Sequence, residues 1–233
     1  MKTKITALLL SAALVLSGCQ AIQNASNKAK LGTGIGVGGA AVGAVLGALL
    51  GGSNKGKGAA IGGAIGAVAG TAAGLIIGNK MDKAKKAAEL ANAEAEVYQT
   101  EQGYDYVKVT FPSGLLFGTG KDALTAAAKQ DLATFANGLT SDMDLYIVGF
   151  SDTQKFKGRT ASESKTLNKE LSEKRAKSVG NYLATAGVPS KRFKAIEGMG
   201  EDSTYPTLEQ NRRVEVYVYP SEDMIEAAQK AAK

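Results

Sequence analysis

Glycine recurs every fourth residue between Leu31 and Gly78, at Gly39, Gly43, Gly47 and Gly51 and then at Gly58, Gly62, Gly66, Gly70, Gly74 and Gly78. A glycine inside a water-exposed helix costs roughly 1 kcal/mol relative to alanine, so this ladder cannot stand as an isolated helix in water. Spacing of four lines the glycines along one helix surface and opens a groove for a second backbone, the packing used between membrane helices. Leu31 to Leu50 and Ala59 to Ile77 carry no charge. About 20 residues at 1.5 Å each suffice to cross a 30 Å hydrocarbon layer. Between the two arms, Gly51 to Lys57 reads as a polar turn. The expectation for residues 31–78 is a glycine-zipper helical hairpin, inserted in or packed on a membrane. Self-association through the ladder and a flexible glycine and alanine linker are the alternatives.

The N-terminus sets a compartment. Lys2 and Lys4 precede an apolar run from Ile5 to Leu16, and LSGC follows, ending at Cys19. That order predicts a bacterial lipoprotein signal peptide over residues 1–18 and acylation of Cys19, with residues 19–30 as a lipidated linker. Cys19 is the only cysteine, which excludes a disulfide or a cysteine metal site within the chain. The next residue is Gln20, not the aspartate that resembles an inner-membrane retention signal, so outer-membrane lipid is the expected anchor.

Charge and composition narrow the chemistry. Lysine and arginine total 28 against 22 acidic residues, a formal +6 that becomes +4 without Lys2 and Lys4. The excess is spread along the chain without an aromatic-interleaved stripe, so nucleic acid is not an expected partner. The sequence has no histidine, which removes serine-histidine triads, histidine metal sites and the commonest general base. No convincing carboxylate pair appears, so neither catalysis, a metal nor a cofactor is expected.

Residues 79–103 are alanine-rich and charged, and Asp82 with Lys86 forms an i to i+4 pair, which predicts a solvated helical spacer. From Tyr104 the periodicity becomes that of a compact mixed domain over residues 104–220, with a helical tail expected over 221–233. Strands are predicted at Tyr106–Thr110, Asp144–Phe150, Lys191–Glu197 and Arg212–Tyr219, and helices at Asp122–Leu139 and Asn168–Ala186. Gly187 and Pro189 end the second helix.

Three strings within this domain carry chemistry. Leu145 to Asp152, LYIVGFSD, reads as a buried strand delivering Asp152 at its C-terminal end. In Leu167 to Val188, LNKELSEKRAKSVGNYLATAGV, Asn168 and Arg175 lie seven residues apart on one helix face. Arg175 also shares the i+4 series of Leu171, Val179 and Leu183, so its stem is expected to pack while its guanidinium emerges at the rim of the core. The third string is NRRVEV, Asn211 to Val216. A guanidinium fork suits a carboxylate, and Asp152 supplies the charge for an ammonium. A ligand with both groups on one carbon would be recognised by the pair.

Together these strings resemble the OmpA/MotB C-terminal family of peptidoglycan-binding domains, over Tyr104 to Pro220. The resemblance implies an α/β sandwich, a mixed sheet with helices on one side. It implies that Asp152 and Arg175 grip the free amino and carboxylate groups of meso-diaminopimelate in the Gram-negative stem peptide. Asn168 matches the asparagine before LS, and Asn211, Arg212 and Arg213 reproduce the segment whose first residues line the same edge in relatives. Plainer roles exist for each: an Asp152–Arg175 salt bridge, Asn168 as an N-cap, and one of Arg212 and Arg213 facing solvent. The chain departs from the family at Gly118, where relatives often carry aspartate or asparagine. It departs again between Asp152 and Leu167, where TQKFKGRTASESKT is about eight residues longer than the family's usual short loop and bears Lys155, Lys157, Arg159 and Lys165. The expected function is that of an outer-membrane lipoprotein whose periplasmic domain holds the cell wall without cutting it. A self-assembling glycine-zipper membrane component, or an outer-membrane assembly factor positioned by wall binding, is the alternative.

Overall fold

The computed structural model describes residues 71–100 and 103–233; the signal peptide, Cys19 and the glycine hairpin as far as Gly70 lie outside the described residues. The chain proceeds through α1 (Ala72–Leu90), β1 (Glu94–Gln99), β2 (Asp105–Pro112), α2 (Ala126–Asn137), β3 (Met143–Ser151), α3 (Ala161–Thr185), β4 (Phe193–Glu201), β5 (Arg213–Pro220) and α4 (Glu222–Ala231). Strand order is β1-β2-β5-β3-β4. β3 and β4 are parallel, joined by the crossover helix α3, and the other neighbours are antiparallel. This is a mixed sheet with its helices on one side.

Alternation in the strands decides which side that is. Val107, Val109 and Phe111 of β2, Leu145 and Ile147 of β3, and Val214, Val216 and Val218 of β5 enter one core. There they meet Ile77 and Met81 of α1, Leu132 and Phe135 of α2, Val179 and Leu183 of α3, and Met224 of α4. Burying each large apolar side chain contributes about 1.5–3 kcal/mol, so this layer dominates stability. The other side of the sheet carries a tyrosine ladder. Tyr98 stacks on Tyr106 at 5.6 Å, Tyr106 on Tyr219 at 4.5 Å, and Tyr219 meets Tyr146 edge-on at 5.4 Å.

Two expected boundaries move. The described end of the expected hairpin, from Ala72 to Gly78, and the expected spacer after it form one helix of the domain rather than a membrane arm and a solvated spacer: α1 buries Ala73, Ile77, Met81, Ala84, Ala87 and Ala88 and packs on α2 and α4. Asn92, in the left-handed region at φ 57°, then breaks the helix and β1 follows as an edge strand. The tail is α4, helical as expected but docked in the core through Met224 and Ala228. Small alanines let α1 approach the core closely, and periodicity read them as helical without revealing that they were buried.

Candidate functional site

The position of α3 controls the site. A Cβ on Gly149 of β3 would meet the Ser172 carbonyl oxygen at 2.1 Å, and one on Gly198 of β4 would meet the Glu173 nitrogen at 2.1 Å. These glycines let the helix sit directly on the sheet. Ser172 Oγ then donates to the Lys169 carbonyl at 2.8 Å and accepts from the Gly200 amide at 2.9 Å. The far end of α3 closes in a paired cap, with Gly187 at φ 105° and the Val188 amide on the Leu183 carbonyl at 3.0 Å. The near end starts earlier than expected. Thr160 is the N-cap, in a reciprocal capping box with Glu163, so the end of the segment after Asp152, from Ala161 on, is helix and Asn168 lies inside it.

Arg175 is 4% exposed and faces the loop between β2 and α2. Its Nε donates to the Lys121 carbonyl at 3.0 Å, and the guanidinium carbon stands 5.2 Å from the centre of the Phe117 ring. Gly120, at φ 67°, turns the loop that brings the Lys121 carbonyl there. Among the described residues no acidic group pairs with the two terminal nitrogens of Arg175. Burial holds its pKa below the ordinary arginine value, and the positive charge of Arg212 adds to that; Asp122 and Asp152 offset part of it. The group remains a cation, one short of negative charge.

Asp152 leaves the C-terminal end of β3 with both carboxylate oxygens engaged. Oδ1 accepts from the Gln154 amide at 2.9 Å, and Oδ2 pairs with Arg212 Nη1. Asn168 holds this turn in place: its Nδ2 donates to the Gln154 carbonyl and to Glu201 Oε1, both at 3.1 Å. Ser151 Oγ donates to the Asn168 carbonyl, also at 3.1 Å. Asp152, Arg175 and Arg212 therefore form one cluster, two cations and one anion, with Arg175 and Asp152 not bonded to each other.

The remaining expected site residues do other work. Asn168 is neither an N-cap nor a free polar head, because its amide is used up in fixing the Asp152 turn. Asn211 is buried and closes the preceding loop, accepting from the Tyr205 amide at 2.9 Å and donating to the Tyr205 and Thr207 carbonyls at 2.9 and 2.8 Å. Arg213 points away from Arg175, since strand periodicity sends neighbouring arginines to opposite faces. It lies 3.9 Å from the Phe150 ring and 4.7 Å from the Tyr205 ring, bonded to Asp202 at 2.6 Å and Glu215 at 2.7 Å. Burial works to lower its pKa, and Glu215 and Asp202 more than reverse that. Its role is internal. Sequence reading missed Lys121, whose contribution is a backbone carbonyl, and Phe117; LFGTGK, with its two glycines, was the available signal.

Residues 116–216 match the model of the OmpA family, and residues 1–82 match that of the YMGG-like Gly-zipper. Residues 116–216 form an OmpA-family domain. Outer membrane protein A of Salmonella typhi is 32% identical over 135 residues, covering 50% of this chain and 36% of that protein. The chain thus spans about a third of the length of that curated relative. Among solved structures, a MotB-like protein from Desulfovibrio vulgaris is 22% identical with a TM-score of 0.49, covering 63% of this chain and 94% of that one. The cell wall anchor of the T6SS from Pseudomonas aeruginosa is 24% identical with a TM-score of 0.47, covering 60% of this chain and 97% of that one.

Elsewhere in the described residues the candidates are weaker. A cleft of about 280 Å³ lies between α1 and the β1–β2 hairpin, lined by Gly74, Gly78, Asp82, Gln99, Tyr104 and Asp105. Strand register puts Asp105 at the opposite end of the sheet from Asp152, and no lysine or arginine lines the cleft, so it offers no charge for a carboxylate. Among the described residues no cluster of His, Cys, Asp or Glu could hold a metal, and no helix is long and apolar enough to cross a membrane.

Proposed function

We propose that the OmpA-family domain binds peptidoglycan without cleaving it, by holding the diaminopimelate of the stem peptide between Asp152 and Arg175. The observation that carries this reading is a buried guanidinium whose terminal nitrogens lack an acidic partner, beside a carboxylate held in a fixed turn. Burying an arginine without an acidic partner is unfavourable, and a carboxylate from the ligand would supply the missing charge to the two terminal nitrogens. Asp152 complements the ammonium on the same carbon. Charge-assisted hydrogen bonds of this kind are worth about 1.5–3 kcal/mol each, so single-site affinity is modest and anchoring depends on many copies facing a repeating polymer.

LSGC and the glycine ladder support the rest of the reading: Cys19 carries acyl chains into the outer membrane, the part of the ladder that precedes α1 packs in or on it, and the domain tethers that membrane to the wall from the periplasmic side. The test uses purified sacculi and the full chain. Arg175→Ala is expected to release the protein from diaminopimelate-containing walls, and walls built with lysine at that position are expected to retain little of the unaltered protein. Retention of Arg175→Ala equal to the unaltered chain overturns the proposed site.

A further inference from the structure

Arg212 has no place in a simple two-point clamp, yet its Nη1 occupies the oxygen of Asp152 that an incoming ammonium needs. The other oxygen accepts from the Gln154 amide, and the Asp152 side chain is only 6% exposed beside Arg212, so an incoming ammonium reaches the carboxylate by moving Arg212 aside. Arg212 is also the cation whose charge bears on Arg175, and its side chain is 37% exposed, so it can swing away from Asp152 into solvent. Arg175 and Arg212 stand against Asp152 and Asp122, so the charges around Arg175 balance before any ligand arrives, with Asp152 committed to Arg212.

The consequences differ for different ligands. A ligand that brings only an ammonium must break the Asp152–Arg212 pair and leave Arg212 beside Arg175, two cations with no new anion. A ligand with an ammonium and a carboxylate on one carbon exchanges the pairs: the ammonium takes Asp152 Oδ2, and the carboxylate is shared by Arg175 and the displaced Arg212. Removing one partner from a desolvated charge pair is expensive because the other is left uncompensated, whereas exchanging partners is not. We propose that Arg212 is a displaceable counter-ion that enforces selectivity for the zwitterion, so that the domain rejects lysine-type stem peptides by stranding Arg212 as well as by leaving Arg175 unfilled. The proposal rests on the reading of the site as a diaminopimelate receptor. It assigns to Arg212 the part of the discrimination that Asp152 and Arg175 alone do not supply.

Equilibrium binding of two soluble stem peptides, identical except for meso-diaminopimelate or lysine at the third position, tests it on the detergent-solubilised full chain. The unaltered protein prefers the diaminopimelate peptide. Arg212→Ala removes the competitor for Asp152, so the lysine peptide gains and the ratio of the two affinities falls by about tenfold, the size of one charge-assisted hydrogen bond. Arg212→Lys keeps a displaceable cation and restores most of the ratio, which a merely structural Arg212 would not do. Arg212→Met, which retains the stem, replaces the alanine variant if that one fails to fold. An unchanged ratio in Arg212→Ala or Arg212→Met overturns the exchange while leaving the diaminopimelate reading intact. Failure of the unaltered protein to prefer the diaminopimelate peptide overturns that reading and the exchange with it.

Discussion

Arg175 and Arg213 are almost equally buried, at 4% and 5% exposed, and sit on opposite faces of the same domain with opposite electrostatics. Arg213 has two carboxylates and two aromatic rings around it and is held above its ordinary pKa; Arg175 has one carbonyl and one ring and is held below. A buried cation with its partners supplied from within is part of the framework, whereas one left short is poised for something from outside. Burial alone does not separate the two roles, and neither does residue type.

Replacing each arginine by methionine, which keeps the apolar stem, should pull the two apart. Arg213→Met leaves Asp202 and Glu215 buried without a guanidinium and should lower stability by about 3–5 kcal/mol in denaturant unfolding. The same cluster should shape the acid limb. Burial by itself raises the Asp202 pKa, but hydrogen bonds from Thr204 and Arg213 leave it below the ordinary carboxylate value. A carboxyl depressed in the folded state contributes stability above its unfolded pKa and loses it as pH falls through the folded one. Stability should therefore decline below about pH 4, and Asp202→Asn should flatten that decline while lowering stability at neutral pH. Equal acid limbs in the two proteins would remove Asp202 from the explanation.

Arg175→Met should behave in the opposite sense. Binding of a diaminopimelate stem peptide should weaken by roughly 10- to 150-fold, corresponding to about 1.5–3 kcal/mol, with stability unchanged or slightly raised because a desolvated cation has been removed. A large stability loss with binding intact would make Arg175 structural like Arg213.

Much of this contrast was legible before the fold was known, and some was not. In the i+4 series of Leu171, Val179 and Leu183, the last two enter the core and put the Arg175 stem against it, whereas Leu171 is only half-buried and lies outside the core, and the strand ending in Asp152 brought the two groups to one end of the sheet. NRRV could not say which arginine stayed at the site, because a strand sends neighbours to opposite faces and sequence does not name the face. The carbonyl of Lys121 was invisible for a related reason, since any residue supplies one. Asn168 was misread as a helix terminus because the Thr160 and Glu163 capping box upstream of it went unnoticed. The alanine-rich stretch of α1 looked solvated because small residues carry a weak apolar signal even when fully buried.

The framework around Asp152 offers smaller tests. Asn168→Ala removes the two side-chain bonds that fix the Asp152 turn and should lower stability by about 1–2 kcal/mol, with weaker peptide binding than that loss of folded protein explains. Thr160→Ala breaks only the cap of α3 and should lower stability by about 1 kcal/mol with peptide affinity unchanged. A loss of affinity in Thr160→Ala would move the site outward, into the insertion.

The most direct measurement follows the arginine Nε–H signals of the isotope-labelled full chain by NMR while a diaminopimelate stem peptide is added. The signals of Arg175 and Arg212 should shift together with ligand, and that of Arg213 should stay where it was. Movement of Arg213 while Arg175 remains still would mean that the guanidinium supplied from within is the one that meets the wall.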